Sequence, residues 1–370
     1  MKLVVVNPGS STIKLSLWEG GARVDSSTVP FHDRSDLLEQ ALSSYFQEIP
    51  GPPPDAVGVR VVHGGPVFRD PVLFHEKVLN DLKRLRPLSP LHTDGAIRAI
   101  NALTGLFPGR PVVLSFDTAF HRTLPPEAFR YPVPESWYRD HEVRRYGFHG
   151  LSYDYIAHRL QETVPAGSIE RTVALHLGNG ASACAILRGL SVDTTMGLTP
   201  MEGLMMGTRS GSIDPGIPFY LETKGLSPRE IERQLNHESG LLGVSGLDRD
   251  LAVVEKAFHS GNKSAEMAIS MFARRAAQAV AQMATSMGGI SCLVFAGGIG
   301  EHSSLVRNWI ARDLGFLGIA LDSAKNAEEQ ASSRDRIISL SGSPVLVMIV
   351  STREDWTISR DVQLVLGRSF

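Results

Sequence analysis

The sequence predicts an α/β protein built from two related lobes, and three observations carry that expectation. Short β-branched runs ("KLVVV", "TVALHL", "CLVFAGG", "PVLVMIV") alternate with longer helical patterns at 36–47 and 264–287, as in sheets covered by helices. At 370 residues the chain exceeds the length at which a single core stops growing, so two domains are expected. Two stretches, "NPGSSTIKLSLWEGG" at 7–21 and "GNGASACAILRG" at 178–189, can be laid side by side. Each follows a strand, turns through a glycine-containing polar loop, passes a serine, re-enters a strand and reaches a glycine turn. This faint repeat suggests two lobes facing each other across a cleft.

Composition narrows the class. With 42% hydrophobic and 21% charged residues the chain reads as an ordinary globular protein. A net charge of -2 gives no reason to expect nucleic acid or a membrane surface as partner. Cys184 and Cys292 lie inside the apolar runs "SACAIL" and "SCLVFAG", the pattern of reduced core residues in a cytoplasmic protein. Met1-Lys2 leads straight into a strand, so no cleavable signal is expected. Apolar stretches such as "PVLVMIV" at 344–350 fall far short of the ~20 residues a spanning helix needs. Pro/Gly clusters at 50–54 and 105–111 read as surface loops, and without a low-complexity linker any domain boundary must be a compact hinge.

The first turn, "NPGSS" within "VVVNPGSSTIKLSL" at 4–17, joins two strand halves. Asn-Pro-Gly serves an ordinary chain reversal. It also leaves backbone N–H groups pointing outward, and Ser10, Ser11, Thr12 and Lys14 add hydroxyls and a cation suited to phosphate oxygens. A further loop, "FAGGIGEHS" at 295–303, ends an apolar strand and precedes the helical "SLVRNWIARDLG", another natural place for nucleotide phosphate or sugar. It lacks the Walker pattern. "GVRVVHGG" sets Arg60 in a strand that should be apolar, and a buried arginine needs an anionic partner. "SFDTAFH" puts Asp117 straight after a strand, where α/β folds present ligand groups. His149 sits at a glycine-flanked turn before a helix in "RRYGFHGLSYDYIAHRL", and Arg209 in the Gly/Ser-rich loop "MEGLMMGTRSGSIDPG". Each could have a structural role alone; together, at loop and strand ends, they favour a site.

Taken in order, "NPGSSTIK", "RVVHGG", "FDTAFH", "YGFHG", "HLGNGAS", "TPMEGLMMGTRSGSIDPG", "GGIGE" and "TREDW" resemble the acetate/propionate kinases of the acetokinase family, within the sugar kinase, Hsp70 and actin superfamily. The resemblance runs from Asn7 to Asp361. It implies an actin-like ATPase fold: two lobes, each with a ribonuclease H-like core, and a cleft between them. Residues 1–120 plus 355–370 would make the first lobe, and 121–354 the second, with the nucleotide pocket and a dimer surface for which the helix at 264–287 is a candidate. The implied reaction is reversible, in-line transfer from ATP to acetate, with Mg²⁺ (or Mn²⁺ as a stand-in) as cofactor, in a homodimer.

The resemblance also implies roles. Asn7 and Glu354 would help hold the metal. His176, Gly178, Asn179 and Gly180 would cradle the nucleotide phosphates, Gly298, Ile299 and Gly300 would shape the adenosine pocket, and Ser10, Thr12, Lys14, Asp250, Glu301 and His302 would also bind the nucleotide. Arg60 and Arg209 would grip the carboxylate and the moving phosphoryl group, His149 would donate to its oxygens, and Asp117 would orient. His92 would line the acyl-phosphate site, and Val62, Leu91, Phe148 and Pro200 would form a small apolar pocket for the methyl group.

The chemistry fits these residue types. A carboxylate is already ionised at pH 7, so the acceptor needs no general base. Two anions must instead be held together, which calls for cations and positioned donors. Departures from the family pattern are Pro8 in the first turn, Thr93-Asp94 after His92, His302 after "GGIGE", and "LDRDLAVV" after "LLGVSG", where an arginine near the nucleotide is displaced or missing. Val62 narrows the pocket in favour of acetate, with propionate as the alternative. Glycines at 297, 298 and 300 argue against a pyrophosphate-dependent relative, and the arginine–histidine set argues against a non-catalytic ATP clamp.

Overall fold

In the computed structural model, which describes residues 1–9, 12–30, 42–46, 51–328 and 335–367, twelve strands among the described residues form two six-stranded mixed sheets. The first sheet contains β1 (Lys2–Pro8), β2 (Thr12–Glu19), β3 (Ala22–Pro30), β4 (Ala56–Val61), β5 (Val72–Leu73) and β6 (Val112–Phe116), in the order β3-β2-β1-β4-β6-β5. β1, β2 and β3 make an antiparallel meander, and β4 and β6 join β1 in parallel. Away from Arg60 and the strand ends the parallel strands are mainly apolar, because both sheet faces are covered. On one face lies the helix Glu354–Val365, through Ile358 and Val362. Gly58 on β4 is where it approaches closest: a Cβ there would meet the Ile358 Cγ2 at 2.6 Å and the Val362 Cγ2 at 2.8 Å. On the other face lie the helices Glu76–Leu85 and Pro90–Leu106, contributing Val78, Leu82, Ala99, Ile100 and Leu103.

The second sheet contains β7 (Arg171–Leu177), β8 (Ala181–Leu187), β9 (Leu190–Thr194), β10 (Cys292–Ala296), β11 (Arg336–Ile337) and β12 (Leu346–Ile349), in the order β11-β12-β10-β7-β8-β9. Again a meander (β7, β8, β9) continues into parallel neighbours, β10 and β12. Both meanders carry a register shift at the same stage of the second strand, Leu17/Trp18 in one and Ala185/Ile186 in the other. The faint sequence repeat is therefore a repeat of topology. The helix Lys263–Ser286 is capped by Asn262 Oδ1 accepting from the Ala265 N–H at 3.0 Å. Its buried face (Ala268, Ile269, Phe272, Ala276, Val280, Met283) covers the second sheet, while Met267 and Met271 lie on the exposed side.

The chain divides into two units. The first comprises Met1–Arg122, Phe148–Tyr155 and Arg353–Phe370; the second comprises Thr123–Gly147 and Ile156–Thr352. Among the described residues no helix is long and apolar enough to cross a membrane. Cys184 and Cys292 are buried free thiols, and burial pushes the Cys292 thiol up to about 12. One local difference from expectation is "GGIGEH": Gly297–His302 is itself helical rather than a loop before a helix. Gly297, at φ +76°, makes the turn out of β10. Arg307 then secures the helix end by donating to the Gly300 and Glu301 carbonyls at 2.9 and 3.0 Å.

Candidate active site

In the first unit the parallel strands β1, β4 and β6 all release polar groups at their C-terminal ends, the edge at which open α/β sheets present ligand-binding residues. Asn7, Arg60 and Asp117 meet there. Arg60 donates from Nε to Asp117 Oδ1 at 3.0 Å and from Nη2 to Asp117 Oδ2 at 2.5 Å. Its Nη1 donates to Asn7 Oδ1 at 3.0 Å, and Asn7 Nδ2 donates to Glu354 Oε2 at 2.7 Å. The four residues form one hydrogen-bonded chain, Asp117–Arg60–Asn7–Glu354. Burial disfavours the Arg60 charge, but the Asp117 and Glu354 carboxylates outweigh it and raise its pKa above the ordinary value. Both Asp117 oxygens accept from one planar guanidinium, the bidentate geometry of an ionised carboxylate. Asp117 is thus arranged to orient Arg60 rather than to take a proton.

The segment after Gly147 is fastened to the same edge. Gly150 donates its N–H to the Asp117 carbonyl at 2.9 Å, and a Cβ at Gly150 would overlap that carbonyl. His149 is left with φ +57°, a left-handed conformation that costs a non-glycine residue on the order of 1 kcal/mol. Strain of this kind persists where the surroundings impose it. Phe148 is buried, its carbonyl lies 3.0 Å from His121 Nε2, and its ring stands edge-on to His63, the neighbour of Val62. Val62 and Phe148, both named for the methyl pocket, are buried in this unit. His92 lies on the helix Pro90–Leu106 with Nδ1 3.4 Å from Ser89 Oγ. The departures beside it have structural partners: Thr93 is buried, and Asp94 accepts from Arg86 at 2.8 Å. Lys14 stands opposite Asn7 in the β1–β2 register, and Thr12 closes the turn by accepting from the Gly9 N–H at 2.8 Å. Ser10 and the Leu91 side chain lie outside the described residues.

In the second unit the material at the strand ends is different. β7 ends at His176 and Leu177, and Gly178, Asn179 and Gly180 make the tight turn into β8, with the Gly178 N–H donating to the Gly180 carbonyl at 3.0 Å. His176 is paired in register with Ala296, so the turn stands beside the helix start at Gly297–Gly300. Asn179 accepts from the Gly207 N–H at 3.1 Å, which joins the "GTRSG" loop to the same turn. Arg209 of that loop donates from Nη1 to the Pro200 carbonyl at 3.1 Å. Glu301 Oε1 accepts from the Thr352 N–H and Oγ1, both at 3.0 Å, while His302 is exposed.

Asp250 caps the helix Leu251–His259 by accepting from the Ala252 N–H at 3.0 Å. Sequence reasoning passed over its neighbour: a Cβ at Gly207 would lie 3.1 Å from the Arg249 carbonyl and 3.3 Å from Asn179 Oδ1. The backbone of Arg249 therefore runs beside the glycine turn through Gly207.

The family model for the acetokinase family matches residues 36–360. The acetate kinase of Deinococcus radiodurans is 48% identical over 319 residues, covering 84% of this chain and 78% of that protein. The crystal structure of Porphyromonas gingivalis acetate kinase superposes with a TM-score of 0.87 at 35% identity, covering 99% of both chains. A propionate kinase from Francisella tularensis gives the same TM-score at 32% identity, covering 97% of this chain and 98% of that one. The chain belongs to the acetokinase family.

Proposed function

We propose that this protein is an acetate kinase that reversibly transfers the γ-phosphoryl group of ATP to acetate, giving acetyl phosphate and ADP. The observation that carries the reading is the Asp117–Arg60–Asn7–Glu354 chain at the exits of three parallel strands. It sets one oriented guanidinium beside an oxygen-only pair of metal-ligand candidates. Acetate arrives ionised, so the work is charge neutralisation along an in-line path. Arg60 and His149 from the first unit and Arg209 from the second are the cationic and donor groups assigned to the carboxylate and the phosphoryl oxygens. The glycine turn at 178–180, with Asn179 and His176, is assigned to the nucleotide phosphates, and Gly298, Ile299 and Gly300 border the adenosine.

Asn7 and Glu354 fit Mg²⁺. Their ligand atoms are hard oxygens, and among the described residues no group of three His, Cys, Asp or Glu side chains is placed to hold a metal alone. Such a pair suits an ion that keeps several waters and is completed by substrate phosphates. When bound, Mg²⁺ would offset phosphate charge. Acetate is preferred over propionate on the assignment of Val62 and Phe148, buried at 7% and 1% exposure, to the methyl pocket, where a valine leaves less room than an alanine would. We further assign the protein to the cytoplasm as a homodimer, with the Met267/Met271 face of the helix Lys263–Ser286 as candidate interface. A hydroxamate assay across acetate, propionate and butyrate with ATP, GTP and pyrophosphate tests the reading. Acetate with ATP should give the largest product. Product from pyrophosphate alone, or none from ATP with any acid, would contradict it.

A further inference from the structure

We propose that Tyr131, Arg145 and Glu202 act as a positioning triad for Arg209; the proposal rests on the assignment of Arg209 to the moving phosphoryl group. All four residues belong to the second unit. Arg145 Nη1 donates towards three successive carbonyls, Thr194 at 3.0 Å, Thr195 at 2.8 Å and Met196 at 3.2 Å. Its Nη2 donates to Glu202 Oε1 at 2.8 Å. The Tyr131 hydroxyl donates to Glu202 Oε2 and accepts from the Leu198 N–H at 2.9 Å. Gly197, in the middle, has no room for a side chain: a Cβ would overlap the Tyr131 hydroxyl and the Glu202 carboxylate. Its carbonyl accepts from the Tyr146 N–H at 3.0 Å.

The purpose of so many contacts follows from the backbone they hold. Residues 195–203 form neither helix nor strand, so their polar groups have no ladder to join and need partners from side chains. One guanidinium and one phenol, held together by the Glu202 carboxylate, supply these at four backbone groups between Thr194 and Leu198. The loop so held ends in Pro200, whose carbonyl receives Arg209, and the Met206 N–H donates to the Arg209 carbonyl at 3.1 Å. Arg209 therefore takes its side-chain position from a loop whose shape the triad sets. A half-buried ion pair is weak evidence of stability, since apolar residues of the same volume often serve as well, but it can fix one geometry among several. Burial, followed by the Glu202 charge, raises the Tyr131 pKa, which keeps its proton on the hydroxyl and the donor role intact.

The test uses Tyr131→Phe, which deletes one oxygen and keeps the ring, and the isosteric Glu202→Gln, each in the wild-type and the Arg209→Ala background. Displacement of Arg209 should lower kcat about 10- to 100-fold with the KM for ATP changed less than about twofold. In the Arg209→Ala background the same substitutions should change kcat by less than about twofold, because the group they position is gone. If Tyr131→Phe fails to show a melting transition, Glu202→Gln decides by the same criteria. A kcat within twofold of wild type for the folded variants, or an equal loss in both backgrounds, overturns the triad. Wild-type protein that forms no acetyl hydroxamate from acetate and ATP overturns the underlying reading first, which separates the two failures.

Discussion

In the first unit the ends of β1, β4 and β6 carry Asn7, Arg60 and Asp117, whereas the corresponding ends of β7 and β10 in the second unit carry Gly178 and Gly297. The sheet order, the meander and even the register shift in its second strand are common to both. The difference lies in what each unit sets at its strand ends. The first sets side-chain charge there, buried and oriented by a partner carboxylate. The second sets a glycine turn and a glycine-rich helix start, where the backbone is left uncovered by side chains. A shared topology thus says where a site will be, and the residues at the strand ends say what it handles.

The largest effects should come from removing the charges. Arg60→Ala and Arg209→Ala should each lower kcat by a factor on the order of 10³ or more, as positioned cations do in other phosphoryl transfers. Arg60→Lys should recover only part of this, because a point charge cannot span both Asp117 oxygens. Steady-state rates within tenfold of wild type for either alanine variant would remove that residue from the mechanism.

A smaller effect is expected at the metal pair. Glu354→Gln can still accept from Asn7 Nδ2 but loses its charge, so the Mg²⁺ needed for half-maximal rate should rise about tenfold or more. Titration of activity against Mg²⁺ at fixed ATP reads this directly, and an unchanged midpoint would take Glu354 out of the metal site.

The smallest effect is on stability alone. Asp361, buried beneath the first sheet with Arg360, Asp154 and Ser115 around it, has its pKa pushed up to about 6, chiefly by burial. The folded state therefore holds a proton that the unfolded chain releases between about pH 4 and 6. Stability from this group falls as pH rises through that window, and the full cost is present above it. Asp361→Asn should accordingly raise the melting temperature by a few degrees at pH 8 and leave it unchanged near pH 4. Thermal melts at both pH values check the sign, and a uniform shift would contradict the cause given.

Much of this was legible in the residues. An arginine in an otherwise apolar strand pointed to Arg60, and an aspartate after "VVLSF" pointed to Asp117, because burial makes an out-of-place charge informative. Their pairing was not legible, since it depends on β4 and β6 lying side by side with Arg60 opposite Ser115. The glycine turns announced themselves, but the left-handed φ of His149 did not, since it sits beside the hydrogen bond from the Gly150 N–H to the Asp117 carbonyl, a contact between distant segments. Arg145 was hidden for another reason. Beside Arg144 in "RRYGFHG" it has no distinguishing neighbour, and only the folded loop shows that one of the two grips three carbonyls.

The division of labour between the units is tested most directly by Michaelis constants for Gly178→Ala and Val62→Ala, each measured with ATP, acetate and propionate varied in turn. A Cβ at Gly178 meets nothing closer than 3.5 Å, so that variant should fold normally and obstruct only the phosphates. The account predicts a KM for ATP about tenfold higher in Gly178→Ala with acetate unaffected. Val62→Ala should raise the KM for acetate and lower it for propionate with ATP unaffected, within the roughly 10- to 200-fold that one methylene can command. If Gly178→Ala moved the acetate constant, or Val62→Ala moved the ATP constant, the assignment of Val62 to the acyl pocket and of the 178–180 turn to the nucleotide phosphates would be wrong.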